Sequence, residues 1–164
     1  MRFEGLLYRA LNPLWARDPL SGEGARRHGG RFNAKGTPAL YTSLSILTAI
    51  REANQIGTLQ PTTLVAYRAE LDRVFDATDP AVLRERGLSP EMLAADDWRI
   101  RMRDAGVAPT QRLAEGLAAE GYAGLRVPSY ARGATGADRN IVLWTWGAAP
   151  PAKLILIDDE GRLR

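Results

Sequence analysis

The sequence predicts an α+β fold, because strand-forming segments lie near both ends of the chain and helical segments lie between them. Asp79-Pro80 and Ser89-Pro90 each place a capping side chain before a proline, which is a start signal of helices. The chain has 164 residues, of which 45% are hydrophobic and 25% are charged, as in ordinary globular proteins. We find no internal repeat and no linker, and therefore expect one domain over residues 1–164.

The N-terminal part predicts a short strand followed by a long irregular segment. The strand spans Phe3–Arg9. Residues 12–30 contain two prolines and four glycines with little periodicity, which is typical of functional loops. We expect this segment to form a lip over a site, anchored by Leu14, Trp15 and Leu20. Trp15 could instead stack on a base, but a side chain this large more often anchors a loop by packing.

Residues 26–36 have the composition of a site for a phosphorylated ligand. This segment, Arg-Arg-His-Gly-Gly-Arg-Phe-Asn-Ala-Lys-Gly, combines fixed positive charge with glycines. Arginine presents a planar fork of donors that matches a phosphate, and glycine lets backbone amides approach an anion. Arg26 and Arg27 are candidates for phosphate contact or an ordinary exposed pair. For His28, the only histidine in the chain, a loop position is favoured over a catalytic role.

The next segment predicts a strand and then a helix of about ten residues. Residues 37–42 are apolar and β-branched after a Gly/Pro break, and Ser43 or Ser45 offers an N-cap. We expect the apolar stripe of this helix to face the core. Glu52 lies nearly opposite that stripe, so it is either a solvated surface residue, the commoner case, or a carboxylate aimed into a cleft. The stripe consists of Ile46, Leu47, Ile50 and Ala53.

The remaining elements follow from alternation, caps and breakers. A strand is predicted over residues 62–71, and the last third of the chain predicts strands over residues 124–129, 141–146 and 153–158. Helices are predicted over Pro80–Arg86, Pro90–Arg103 and Thr110–Glu120.

Ser129 lies where one of the late strands ends. Pro128 removes a donor from the ladder, so the serine sits at the end or the edge of its strand. A serine in such a place either faces a ligand or caps a turn, and the local sequence leaves both roles open.

Composition excludes several kinds of site. The chain contains no cysteine, which excludes a disulfide scaffold, a thiolate zinc site and a cysteine nucleophile. The N-terminus lacks the apolar region of a signal peptide, and no apolar run approaches membrane-spanning length. We therefore expect a cytoplasmic protein without membrane contact. The net charge is only +3, but basic residues concentrate in the first third of the chain, where they would attract an anionic ligand or an acidic partner.

Several short motifs resemble those of the RES-domain family, which takes its name from an arginine, a glutamate and a serine. Arg31, Glu52 and Ser129 match these three residues. The sequence departs from the family pattern at one place, where an Asn-Pro pair is expected but Ile141 follows Asn140. The role of Asn140 is therefore left open. The matching motifs are Tyr8-Arg9, Gly29-Gly30-Arg31-Phe32-Asn33 with Gly36, Tyr41, Ala49-Ile50-Arg51-Glu52 and Val127-Pro128-Ser129.

The resemblance implies an ADP-ribosyltransferase-like fold, in which helices flank a small split β-sheet. It also implies the toxin of a bacterial toxin-antitoxin system that consumes NAD+ as a substrate and arrests growth. Such a toxin cleaves the nicotinamide-ribose bond and transfers ADP-ribose to a cellular protein, to water or to phosphate. The sequence leaves the acceptor open, because all three acceptors need the same activated ribose.

The implied chemistry assigns roles to individual residues and requires no metal. A carboxylate, Glu52, stabilises the oxocarbenium-like centre, as in glycoside hydrolysis. Cationic groups hold the pyrophosphate, and an aromatic ring faces the nicotinamide. We therefore expect Arg31, Tyr41 and Glu52 to be catalytic, and NAD+ to be bound by Arg9, Arg31, Asn33, Tyr41 and Ser129.

The resemblance also implies a protein partner, an Xre-like helix-turn-helix antitoxin that covers the active site in a hetero-oligomer. The basic lip from Arg17 to Lys35 suits an acidic or carboxylate-bearing tail of such an antitoxin. A target protein for ADP-ribosylation is a second possible partner, and direct nucleic-acid contact is not expected.

Two other classes of function remain as alternatives. Cationic, glycine-containing segments and tryptophans, of which the chain has four, also occur in single-stranded nucleic-acid binders. The scattered tryptophans and the small net charge argue against a binder. A non-catalytic nucleotide-binding module would bind NAD+ and leave it intact.

Overall fold

The computed structural model describes residues 1–55 and 57–163, and within these ranges seven strands form one mixed sheet. They are β1 (Phe3–Leu11), β2 (Leu40–Ser43), β3 (Thr63–Leu71), β4 (Val74–Asp76), β5 (Gly124–Pro128), β6 (Arg139–Leu143) and β7 (Ala152–Leu156). Their spatial order is β4-β5-β6-β2-β1-β3-β7; β4 and β5 run parallel, and all other neighbours run antiparallel. The predicted α+β class is confirmed.

Helices flank this sheet. They are α1 (Glu23–His28), α2 (Ile46–Ala53), α3 (Pro80–Glu85), α4 (Pro90–Ala94), α5 (Trp98–Ala105) and α6 (Pro109–Ala119). The predicted proline starts are confirmed, since Asp79 caps α3 and Ser89 caps α4 through their side chains. Within the described ranges, no helix is both long and apolar enough to cross a membrane.

Two predicted segments differ from the structure, and one strand was not predicted. The single helix predicted over Pro90–Arg103 is two helices, because Ala95 turns to an extended backbone (φ −53°, ψ 123°) and ends α4. Residues 12–30 are not wholly irregular, since they contain a 3₁₀ turn at Pro13–Trp15 as well as α1. The short strand β4 was not predicted, because its three residues carry too little pattern.

The predicted anchoring of the lip is wrong for two of its three residues. Leu14 is 81% exposed and Trp15 is 70% exposed, so neither side chain is a packing anchor. Leu20 packs against the core as expected. The segment is held at Pro19 instead, whose carbonyl accepts hydrogen bonds from Arg9 and from the hydroxyl of Tyr67.

Two hydrophobic clusters cover the two faces of the sheet. The alternation along β6 separates them, because Ile141 and Leu143 belong to the first cluster and Val142 belongs to the second. The first cluster collects the inner residues of β1, β3 and β7. The second cluster packs α3, α4 and α6 against β5 through Leu83, Leu93 and Leu117, among others.

The sheet is nearly split between β1 and β2. Strands β1 and β3 pair along their whole lengths, from Phe3 opposite Leu71 to Leu11 opposite Thr63. Within the part of the chain that the structure describes, β1 and β2 pair only where Tyr8 lies opposite Ser43. A short ladder leaves the two strands free to diverge, and the candidate site lies at this junction.

Candidate active site

Helix α2 turns Glu52 inward, and its apolar stripe faces solvent. The buried side of the helix carries Thr48 and Ala49, from which Glu52 follows at helical spacing. On the opposite side Ile46 is 48% exposed and Leu47 is 64% exposed. The prediction that the stripe faces the core is therefore wrong. Of the two alternatives for Glu52, the structure has the carboxylate aimed into a cleft.

Hydrogen bonds from different parts of the fold orient the carboxylate of Glu52. Ser129 Oγ and Asn140 Nδ2 each donate to Oε1 at 2.5 Å, and Gln55 Nε2 donates to Oε2 at 2.5 Å. Asn140 Oδ1 in turn accepts from Ser43 Oγ at 2.7 Å. The end of β5 and the strand β6 thus fix one oxygen, while the other oxygen meets an exposed glutamine.

Two cavities share Tyr41, Glu52 and Gln55 in their walls, with volumes of about 240 Å³ and about 280 Å³. Each volume lies just below the size range of small-molecule sites, which is about 300–1,000 Å³. The first cavity is also lined by residues 29–32 and by Trp98, Arg99, Val127, Tyr130, Asn140 and Val142. The second cavity is also lined by Tyr8, Arg9, Ala10, Ser43, Ala49 and Ala53. Glu52 therefore lies between the two cavities, in a wall that both of them share.

Arg31 lines the first cavity and is held there by backbone. Its NH1 donates to the carbonyls of Leu93 at 3.1 Å and Ala95 at 2.7 Å, and its NH2 lies 3.4 Å from Asp96. Its guanidinium stacks 4.6 Å from the ring centroid of Tyr130. Burial raises the pKa of Tyr130 to about 12, so this ring stays neutral at pH 7. Arg31 is thus a fixed positive charge in the cavity wall.

Tyr41 is held by the glycine-containing loop. Its hydroxyl accepts a hydrogen bond from the Phe32 amide at 3.0 Å and donates to Asn33 Oδ1 at 2.7 Å. Burial raises the pKa of Tyr41 well above its ordinary value, which keeps the hydroxyl able to donate. A Cβ on Gly30 would collide with this hydroxyl and lie 2.7 Å from Asn33 Oδ1, so the turn needs glycine here.

Asn33 is built into the same loop and is 1% exposed. Its Nδ2 donates to the carbonyls of Ala25 and Thr37, each at 2.9 Å. The fully buried Gln111 adds hydrogen bonds to the carbonyls of Gly30 and Asn33. In this arrangement Asn33 lines neither cavity. Its amide shapes the loop that carries Arg31. The expected contact of Asn33 with NAD+ stays a prediction.

The other basic candidates divide into two groups. Arg9 lines the second cavity beside Glu52, as its expected role requires. Arg26 and Arg27 lie at the end of α1 and hydrogen-bond the half-buried Glu23, holding the pKa of that carboxyl at about 2. Neither arginine of this pair, nor the exposed His28 that follows, lines the cleft.

Asp138 ties α2 to the loop before β6. This carboxylate is buried, and it accepts from the Thr135 amide at 2.7 Å, from Thr48 Oγ1 at 2.5 Å and from Arg51 NH1 at 3.0 Å. The hydrogen bond from the Thr135 amide is the largest of the causes that hold its pKa at about 2. Because Thr48 and Arg51 lie on the helix of Glu52, Asp138 fixes how α2 presents that residue.

Several residues that shape this site carry no clear signal in the sequence. Gln55, Gln111, Tyr130 and Asp138 received no role, and the role of Asn140 was left open. The available signal for Asn140 was alternation, since it lies two residues before Val142 on a strand and both line the first cavity. The other contacts join residues far apart in sequence, for which the local pattern carries no signal.

Comparison with known proteins agrees with the resemblance seen in the motifs. A family model described as RES domain matches residues 6–164 of this chain. The chain belongs to the RES domain family. The match spans every residue of the cleft, from Tyr8 to Val142.

Two curated relatives and one solved structure extend this result. The NAD(+) phosphorylases MbcT of Mycobacterium bovis and Mycobacterium tuberculosis are each 37% identical to this chain over 93 residues. The match covers 50% of this chain, and the chain spans about half the length of these relatives (50%). A chain of the crystal structure of the M. tuberculosis MbcT-MbcA toxin-antitoxin complex is 26% identical, with a TM-score of 0.66. That comparison covers 95% of this chain and 82% of the solved one.

Proposed function

We propose that this RES domain protein, as one domain over residues 1–164, is the NAD+-consuming toxin of a bacterial toxin-antitoxin pair. It cleaves the bond between nicotinamide and ribose and transfers ADP-ribose to an acceptor. The observation that carries the proposal is the carboxylate of Glu52, held by Ser129 and Asn140 at the junction of two cavities. Family membership and the names of the curated relatives support the same activity.

The bond that breaks joins C1 of the ribose to the ring nitrogen of nicotinamide. Its electron pair leaves with the nicotinamide, which becomes neutral, and positive charge develops on C1 and the ring oxygen of the ribose. The carboxylate of Glu52 stabilises that charge, because it is fixed in place before the reaction begins. Ser129 holds the carboxylate and contacts a hydroxyl or phosphate oxygen of the substrate.

The cationic residues of the cleft bind the rest of the substrate. Arg31 in one cavity and Arg9 in the other supply positive charge on both sides of the junction, which suits a pyrophosphate that passes along the cleft. Tyr41 lines both cavities, and we assign its ring to the nicotinamide, a flat cationic ring that favours an aromatic face.

Inorganic phosphate is the acceptor that we favour. A phosphate oxygen attacks C1 as nicotinamide leaves, and the product is ADP-ribose 1-phosphate. Exposed Arg99, stacked 4.4 Å from the ring centroid of Trp98 at the wall of the first cavity, adds a cation where the anion would enter. The names of the curated relatives support phosphate over water or a protein side chain.

The test incubates purified protein with labelled NAD+, with and without phosphate, and separates the products. We expect nicotinamide release that depends on phosphate, together with ADP-ribose 1-phosphate. Free ADP-ribose at an unchanged rate without phosphate would mean that water is the acceptor. Label on a protein band in added lysate would mean that a protein is modified. Intact NAD+ in every sample would refute the proposed function.

The proposed partner is a cognate antitoxin that closes the cleft. The solved complex of the structural neighbour contains an antitoxin, which supports such a pair here. Because an enzyme that consumes NAD+ would poison its own cell, the bound antitoxin has to exclude the substrate. A purified complex that consumed NAD+ as fast as the free protein would contradict this occlusion.

A further inference from the structure

We propose that Asn140 is the positioning residue that fixes which oxygen of Glu52 faces the reacting ribose. The proposal rests on the proposed function, since it concerns the same carboxylate. Asn140 Nδ2 donates to Glu52 Oε1 at 2.5 Å, and Asn140 Oδ1 accepts from Ser43 Oγ at 2.7 Å. The three side chains form one chain of hydrogen bonds from β2 through β6 to α2.

The chemistry of these groups determines the orientation of the asparagine amide. An ionised carboxylate only accepts hydrogen bonds, so the atom that faces Glu52 has to be the nitrogen of Asn140. The oxygen of the amide then faces Ser43, whose hydroxyl is able to donate. Ser43 and Asn140 are directly paired in the β2-β6 ladder, and Ser43 is buried, so the sheet itself maintains this order.

The result is an asymmetric carboxylate. Oε1 accepts from both Asn140 and Ser129, while Oε2 meets only the exposed Gln55 among the described residues. Oε2 is therefore the oxygen that a substrate reaches by displacing an exposed side chain. Without Asn140, Glu52 would keep a single hydrogen bond on Oε1, from a serine whose hydroxyl also accepts from the Ala131 amide. A misplacement of about 1 Å costs a catalytic group roughly 100-fold in rate.

The charge around Glu52 makes an aspartate at position 140 informative. The cavities beside Glu52 are lined by the cations Arg9, Arg31 and Arg99 and by the ionisable rings of Tyr8, Tyr41 and Tyr130. Arg51, on the same helix as Glu52, is turned toward Asp138. A carboxylate in place of the Asn140 amide would share a proton with Glu52, because two carboxylates in contact cannot both ionise readily.

The test compares Asn140→Asp, Asn140→Ala and Ser43→Ala with the wild type in nicotinamide release from pH 4 to pH 9. We expect Asn140→Asp to shift the acidic limb of kcat upward by roughly one pH unit or more. Asn140→Ala should lower kcat by about 10- to 100-fold with KM within about threefold, because it misplaces the catalytic oxygen while the binding groups remain. Ser43→Ala should lower kcat less and leave the pH profile in place.

Asn12→Asp serves as the matched control, because Asn12 is an exposed cap of the 3₁₀ turn and an aspartate caps equally well. Its activity and pH profile should equal those of the wild type. If the wild type leaves NAD+ intact, the proposed function is refuted. The contact between residues 52 and 140 is then tested by itself, by using NMR to measure the titration of the Glu52 carboxyl in Asn140→Asp. Unchanged kcat in Asn140→Ala, or an unshifted Glu52 titration in folded Asn140→Asp, overturns the proposal.

Discussion

Replacing Glu52 by glutamine separates a catalytic carboxylate from a structural one. The change removes the negative charge and keeps the shape of the side chain. In the structure the amide oxygen of the new residue can still accept from Ser129 and Asn140, and Gln55 can turn its own amide to pair with the new NH₂ group. Folding should therefore be nearly unaffected, with a change within about 0.5 kcal/mol.

The expected loss of rate follows from Coulomb's law. A full positive charge about 4 Å from a carboxylate is stabilised by about 4 kcal/mol at an effective dielectric constant of about 20. Since about 1.4 kcal/mol corresponds to a factor of ten, full loss of this interaction would slow the reaction by about three orders of magnitude. Glu52 is half-buried and the charge on the ribose is incomplete, so we expect a fall of about 100- to 1,000-fold.

The assay follows nicotinamide release at saturating NAD+, with calorimetric NAD+ affinity and melting temperature measured on the same samples. Affinity and melting temperature should both stay close to those of the wild type. A well-folded Glu52→Gln protein with full activity would refute the mechanism. A large loss of NAD+ affinity would instead mean that Glu52 acts mainly in binding.

Three further predictions concern the scaffold around the site. Asp138→Asn should lower stability at neutral pH. The difference from the wild type should shrink as the pH falls from about 4 through about 2, because the folded pKa of Asp138 (about 2) lies below its ordinary value of 3.8. Urea unfolding across this pH range measures the difference. Gly30→Ala should destabilise by about 1–3 kcal/mol, since its Cβ would collide with the hydroxyl of Tyr41. Gly24→Ala should instead stabilise the protein by about 0.5–1 kcal/mol, because Gly24 lies in exposed α1 with nothing near the new methyl group. Equal melting temperatures for the two glycine variants would contradict the need for glycine at position 30. Leu47→Glu should change the free energy of unfolding by no more than about 0.5 kcal/mol, because Leu47 is exposed. If Leu47 were buried in the core, the same substitution would cost about 2–5 kcal/mol or more. A melting curve distinguishes the two cases.

The direction of α2 was the main feature that local pattern predicted wrongly. Periodicity identifies the two sides of an amphipathic helix but takes the apolar side to be buried. Here the inward side is anchored by polar contacts, since Thr48 and Arg51 bind the buried Asp138, and Glu52 is bound by Ser129 and Asn140. The partners come from residues 129–140, far along the chain, so the sequence of α2 does not contain the information.

Arg31 and Asn33 illustrate the same limit within a motif. The clustering of arginine and glycine predicts that the segment around them belongs to a site, and in the structure Arg31 lines the first cavity together with Glu52. The sequence did not indicate that Arg31 would be held by the carbonyls of Leu93 and Ala95, or that Asn33 would be buried under the loop. Both outcomes depend on α4 and on the packing of the loop against Gln111.

The sequence by itself determined the α+β class, the helix starts at the capped prolines, and the family, because these depend on local pattern and on short motifs. Tertiary structure alone decided that the split of the sheet lies between β1 and β2, that Glu52 turns inward, and which partners its two oxygens have. The physical reason is distance along the chain. Glu52 is hydrogen-bonded to residues 77 and 88 positions away, and only the folded sheet brings those donors to one carboxylate.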